Sequence, residues 1–242
     1  MTLQALIFDF DGLILDTETP EAAVWQAIFR EHGHELPMDE WAGIIGSYGD
    51  SLYDAAAHLA QLTRLEAASL RARHRRETDA LIHAIPSCPG VTDLLDEAAR
   101  RGLGLAVASS SPHAWVDSHL SRLGLDSRFD AVLCSDDVAP GRAKPHPDLF
   151  LLAADRLEVP KAAAVVFEDS LNGVRAAKSA GIFVVAVPNP LTIRFGTDGA
   201  NLTVNSLAEV SLDKLEELLF AGHRTRMTRI SRKNSKRNPC AP

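Results

Sequence analysis

No apolar run in the chain approaches the roughly 20 residues that a bilayer-spanning helix requires. The start, Met1-Thr2-Leu3-Gln4, has no basic segment, and the apolar stretch behind it is interrupted by Asp9 and Asp11. A cleaved secretory leader is therefore not expected. Cysteine is scarce: Cys88, Cys134 and Cys240 are three, odd in number and widely spaced. They form no zinc pattern and no disulfide framework, which suits a reducing cytoplasm. Internal repeats are absent. Acidic residues are missing from Ala221 to Pro242, where seven Lys/Arg stand. The net charge of −7 thus conceals a remainder with 18 Lys/Arg against 32 Asp/Glu, a balance of −14. An acidic body with a basic tail does not suit a dedicated nucleic-acid-binding domain. The tail, 221–242, is expected to be disordered.

What is present is a soluble composition and a series of short apolar runs: Ala5–Phe8, Leu103–Ala108, Ala131–Cys134, Ala163–Phe167 and Ile182–Val187. They lack strict alternation, as strands covered on both faces do. Helical patterns lie between the later runs, through Trp115, Val116, His119, Leu120 and Leu123, and through Phe150, Leu151, Ala154 and Leu157. Pro112 and Pro147 suit first helical turns, Ser170 a helix N-cap, and Gly181 the residue past a helix end. Alternating strand and helix point to a parallel α/β sheet.

Residues 17–85 break that rhythm. Val24, Trp25, Ile28 and Phe29 form one helical face, and Ala55, Ala56, Leu59, Ala60 and Leu62 another; Arg64 to Ile85 reads as a third, Arg-rich helix. One crossover does not need so many helices. The stretch is expected to be a small helical domain inserted after the first strand, with 1–16 and 86–220 forming the main domain.

Ligands of open parallel sheets bind beyond the strands' carboxyl ends. The first run ends in Phe8-Asp9-Phe10-Asp11-Gly12, with two carboxylates two residues apart. Residues i and i+2 of a strand share a side, so Asp9 and Asp11 can converge on one volume. Such crowding suggests a cation, a shared proton, or both, although Asp-x-Asp-Gly is also ordinary turn chemistry. The second run ends in Ser109-Ser110-Ser111 ahead of a helix, a place where anions bind and where an N-cap also belongs. Lys144-Pro145-His146-Pro147 precedes a third helix, and a fourth run ends in Glu168-Asp169-Ser170. His146 reads as a solvated loop residue.

Taken in this order, these segments resemble the haloacid-dehalogenase-like superfamily, whose phosphatase members carry Asp-x-Asp-Gly, then Ser/Thr, then Lys, then paired acids. The match runs from about Leu3 to Leu219, with Asp16-Thr17-Glu18 completing the first motif. The resemblance implies a Rossmann-like core with an inserted helical cap, and a cytoplasmic phosphatase that acts, as a monomer, on a small phosphorylated metabolite. It implies that Asp9 is the nucleophile and Asp11 the general acid and base. Gly12, Ser109, Ser110 and Lys144 would hold phosphate. Asp9, the Asp11 carbonyl and Asp169 would hold Mg²⁺, with Glu168 in support. Neither a membrane nor a nucleic acid is an expected partner, the basic tail aside.

Three features choose within the family. Dehalogenases lack an aspartate at the position of Asp11, and P-type ATPases have a threonine there. Sugar phosphomutases such as β-phosphoglucomutase carry a cap histidine where this chain has Pro20-Glu21, and a cap-loop arginine where it has Gly46-Ser47-Tyr48-Gly49-Asp50-Ser51. The expectation is a phosphohydrolase; a phosphomutase is the alternative, and a catalytically idle metabolite- or partner-binding protein is the alternative of another class. Tyr48, Asp50, Arg73 and Arg76 are candidate specificity residues, with plain surface roles as the competing reading.

Overall fold

The computed structural model describes residues 2–42 and 53–219, without the side chain of Ala42. Its centre is a six-stranded sheet in the order β3-β2-β1-β4-β5-β6, with every pairing parallel. The strands are β1 (Ala5–Phe8), β2 (Gly104–Ala108), β3 (Ala131–Leu133), β4 (Ala164–Glu168), β5 (Phe183–Ala186) and β6 (Leu202–Thr203). Between β1 and β2 come α1 (Glu18–Glu31), α2 (Met38–Ala42), α3 (Ala55–Thr63), α4 (Ala67–Ala84) and α5 (Val91–Arg100). After β2 come α6 (His113–Leu123), α7 (Asp148–Arg156) and α8 (Leu171–Ala180), and a further helix spans 212–219.

The apolar runs fail to alternate because each face of the sheet has its own core. Leu6, Phe8, Leu105, Val107, Val165 and Phe167 face one core, which α5 and α6 cover with Leu94, Leu95, Val116 and Leu120. Their neighbours Ala5, Ile7, Ala106, Ala108, Ala164 and Val166 face the other, covered by Phe150, Ala153, Val174 and Ala177. The rings of Phe8 and Phe167 stack with centroids 5.0 Å apart, locking β1 against β4 where both strands end. A third apolar cluster belongs to the insertion: Val24, Trp25, Ile28, Phe29, Leu36, Trp41, Ala56, Leu59 and Leu70, joined by Leu191 from beyond β5.

Ser170 caps α8, its hydroxyl accepting from the Gly173 N–H at 3.1 Å, and Gly181 ends that helix with φ +76°. Other expectations shift. The third helix of the insertion starts at Ala67, because Arg64 takes a left-handed φ of 64° and closes α3. Pro112 and Pro147 stand one position ahead of their helices. Leu62 points to solvent, 48% exposed, and Leu151 and Leu157 are only half-buried. β6, two residues long, left no readable pattern in the sequence.

Candidate active site

β1 lies between β2 and β4, so the ends of these three strands bring Asp9, Ser109 and Glu168 to one edge of the sheet. The Asp9 N–H donates to the Phe167 carbonyl at 3.0 Å, and its carboxylate is buried. The chain then turns sharply: the Phe10 carbonyl accepts from Ile14 N at 2.9 Å, and Gly12 N donates to Leu15 O at 2.8 Å. Gly12 has φ +80°, and a Cβ there would lie 2.3 Å from Asp169 Oδ2, so both conformation and space demand glycine.

Lys144 is buried with its Nζ paired to Asp9 Oδ1 and, at 2.6 Å, to Glu168 Oε1. Burial would lower the lysine pKa, but the two carboxylates overcome it and hold the ammonium charged. Nζ also sits 4.9 Å from the centroid of the Phe150 ring. The second Glu168 oxygen accepts from Ser170 N at 2.9 Å and Ser170 Oγ at 3.0 Å. Both Glu168 oxygens thus have protein partners. Asp9 is pushed well above the carboxylate range by burial and by the Glu168 charge, against the pull of Lys144.

Asp9, Glu168 and Asp169 each offer one oxygen, and these atoms lie within 4.8 Å of one another. Asp169 Oδ2 accepts from Asn189 Nδ2 at 2.8 Å, whereas its buried Oδ1 finds no hydrogen-bond partner among the described residues. Burial, then the charges of Glu18 and Glu168, raise the Asp169 pKa. An acceptor left unsatisfied among crowded carboxylates is costly unless a proton or cation joins it. All-oxygen donors suit a hard divalent ion, and the residues therefore fit one.

The Asp11 carboxylate is not part of that triad. Its Oδ1 accepts from Thr17 Oγ1 at 2.9 Å and Trp115 Nε1 at 2.8 Å; its Oδ2 accepts from Ser111 Oγ at 2.6 Å and Ser109 Oγ at 3.3 Å. Ser110, between Ser109 and Ser111 in the chain, is buried. Every predicted site residue therefore lies at this edge, as two groups: Asp9, Lys144, Glu168 and Asp169 with Gly12 against them, and Asp11 with the serines.

Sequence reading missed Trp115 and Asn189, and the parts that Ser111 and Glu18 play here. Trp115 looks like one more apolar residue of the α6 face. Asn189 stands between two prolines just past a predicted strand end, and that placement was the available signal. The insertion's arginines belong elsewhere: Arg73 pairs with Glu31 at 2.7 Å and Glu77 at 2.8 Å, and Arg76 lies 3.9 Å from Glu77. His146 is exposed and contacts Arg142 at 3.2 Å. Tyr48, Asp50 and the tail from 220 lie outside the described residues.

The sequence matches the family described as haloacid dehalogenase-like hydrolase over residues 6–187. It is 39% identical to YhcW of Bacillus subtilis over 218 residues, 87% of this chain and 94% of that protein. It is 34% identical to the fructose-1-phosphate phosphatase YqaB of Escherichia coli over 182 residues, 75% of this chain and 95% of that one. Among solved structures, a CbbY variant from Rhodobacter sphaeroides in complex with xylulose 1,5-bisphosphate aligns with a TM-score of 0.65 at 29% identity, over 87% of this chain and 97% of that one. No helix among the described residues is long and apolar enough to cross a membrane.

Proposed function

This chain belongs to the haloacid dehalogenase-like hydrolases, and from its site we propose that it is a Mg²⁺-dependent phosphatase of a small phosphorylated metabolite, a sugar phosphate by preference. The carrying observation is the pairing of buried Asp9 with buried Lys144 beside Asp169 Oδ1, which has no hydrogen-bond partner among the described residues. The sugar-phosphate preference takes its support from the named substrate of YqaB and the ligand of CbbY.

A carboxylate that attacks a phosphate dianion must approach like charge. At an effective dielectric near 20, each pair of unit charges 4 Å apart costs about 4 kcal/mol. Lys144 supplies one offsetting charge on Asp9 itself. Asp9, Asp169 and the Asp11 main-chain carbonyl would hold Mg²⁺, with Glu168 supporting the site by fixing Lys144. When bound, Mg²⁺ supplies further positive charge against that repulsion.

An Asp9 oxygen then forms a bond to phosphorus while the ester P–O bond breaks and the leaving oxygen takes a proton from Asp11. The aspartyl-phosphate is hydrolysed when Asp11 removes a proton from water, which attacks phosphorus and frees Asp9. Ser109 and the Ser110 N–H hold the phosphate oxygens through both steps. The helices α1–α4 act as a cap over this edge.

The test is phosphate release from p-nitrophenyl phosphate and from a panel of sugar phosphates, glycerol phosphate, phosphoglycolate and nucleotides. Release should require Mg²⁺, stop with EDTA, and fall at least a thousandfold in Asp9→Asn. No release from any of these substrates would reject the phosphatase reading. Interconversion of sugar phosphates without release would make the chain a mutase, despite Pro20-Glu21 in place of the cap histidine.

A further inference from the structure

Asn189 follows β5 by three residues and belongs to no motif identified above. It is 9% exposed, and its amide uses its whole hydrogen-bonding capacity. The oxygen accepts from Leu191 N and Thr192 N, both at 2.9 Å. The nitrogen donates to Asp169 Oδ2 at 2.8 Å and to Glu18 Oε2 at 3.1 Å. The orientation is dictated by these partners: a flipped amide would set its oxygen against two carboxylates and its NH₂ against two N–H groups. The Asn189 N–H, in turn, is held by Thr192 Oγ1 at 2.9 Å.

Asn189 therefore grips Asp169 through Oδ2, with the Glu18 carboxyl also against it. Asp169 Oδ2 is also pressed by the Gly12 backbone, where a Cβ would come within 2.3 Å of that oxygen and 2.9 Å of Asn189 Nδ2. Its buried Oδ1 has no hydrogen-bond partner among the described residues, and Asp169 is a member of the acidic triad. A carboxylate whose rotation is fixed by one hydrogen-bonded oxygen presents the other as a preorganised ligand.

We propose that Asn189 is a positioning residue of the cation site: its amide holds Asp169 Oδ2 so that Oδ1 faces a divalent cation, and ties that carboxylate to Glu18 on the first turn of α1. This rests on the reading of Asp169 as a metal ligand. Partners that orient a ligand typically contribute 10–100-fold to metal affinity.

The experiment is calorimetric titration of the metal-stripped full chain with Mg²⁺ alone, without substrate. In Asn189→Ala the Kd should rise at least tenfold. Asn189→Ser should match it, since a serine hydroxyl can still accept from the loop N–H groups but is too short to reach Asp169; it decides the matter if the alanine variant does not fold. Thr192→Val, which loosens the same loop and leaves the Asp169 contact, should stay within threefold of wild type. Asp169→Ala should lose binding. If Asp169→Ala loses binding while the folded Asn189 variants stay within threefold, the role of Asn189 is overturned and the metal site stands. Equal losses in Thr192→Val and Asn189→Ala would also overturn it, because loop order alone would then explain the effect. If Asp169→Ala binds like wild type, or the wild type does not bind, the metal reading fails and this proposal with it.

Discussion

The indole Nε1 of Trp115, on the first turn of α6, donates to the Asp11 carboxylate at 2.8 Å across 104 residues of sequence. With Thr17, Ser109 and Ser111, it fills both oxygens of Asp11 and holds the side chain apart from the acidic triad. The group proposed as acid and base is thus oriented by four donors that lie outside the metal site.

Asp11→Asn should lose most activity on an alkyl phosphate and least on p-nitrophenyl phosphate, whose leaving group needs no proton. Trp115→Phe keeps the ring packing and removes one donor, so it should show the same contrast in weaker form. About a tenfold loss on the alkyl ester and less than threefold on the aryl ester is expected. Equal losses on both esters in Trp115→Phe would mean that Trp115 only packs.

Gly173 is predicted to tolerate no side chain. A Cβ there would fall 1.7 Å from Glu168 Oε1, the oxygen that pairs with Lys144. Gly173→Ala must push Glu168 off a buried lysine, and breaking a buried ion pair costs about 3 kcal/mol or more. Thermal and urea unfolding should show that loss together with a large drop in turnover. A variant as stable as wild type would mean that the acid has another place to go.

His113 should give a pH-dependent contribution to stability. It contacts Asp117 at 3.1 Å and Asp137 at 2.8 Å. Burial opposes its charge, but the Asp137 hydrogen bond and the two carboxylates outweigh it and raise the pKa above the ordinary value. A histidine raised on folding stabilises fully below its unfolded value, near 6.5, and loses the contribution as pH climbs through the higher folded value. His113→Ala should therefore cost more at pH 6 than at pH 8.5, by about 0.5 kcal/mol for so exposed a pair. Identical urea midpoint shifts at the two pH values would refute this.

Truncation after Phe220 should leave kcat/KM on a small phosphate ester within about twofold. The removed segment carries seven Lys/Arg and no acids, and the family match ends at residue 187. Weak polyanion binding at low salt should vanish at about 150 mM, where the Debye length is about 8 Å. DNA binding that persists there and disappears on truncation would show that the tail has a function.

The sequence by itself marked five of the six described strands, three of the four described inserted helices and most of the candidate site, for a local reason. A strand covered on both faces must be apolar throughout, so Ala5–Phe8 and Ala164–Phe167 announce themselves, and the first charged residue after each stands at a carboxyl end. Asp9, Ser109, Lys144 and Glu168-Asp169 were legible because of where they interrupt or flank those patterns. Tertiary structure alone decided the partners. Trp115 and Asn189 sit in apolar or proline-bounded surroundings, and their chemistry arises only when α6 and the loop after β5 are laid against the first strand's end. The Asn189–Glu18 contact spans 171 residues. Burial faces were likewise settled by packing: Leu62 continues a helical apolar pattern yet is 48% exposed. Local pattern records which residues must leave water, whereas the direction in which a donor points is set by the elements packed against it.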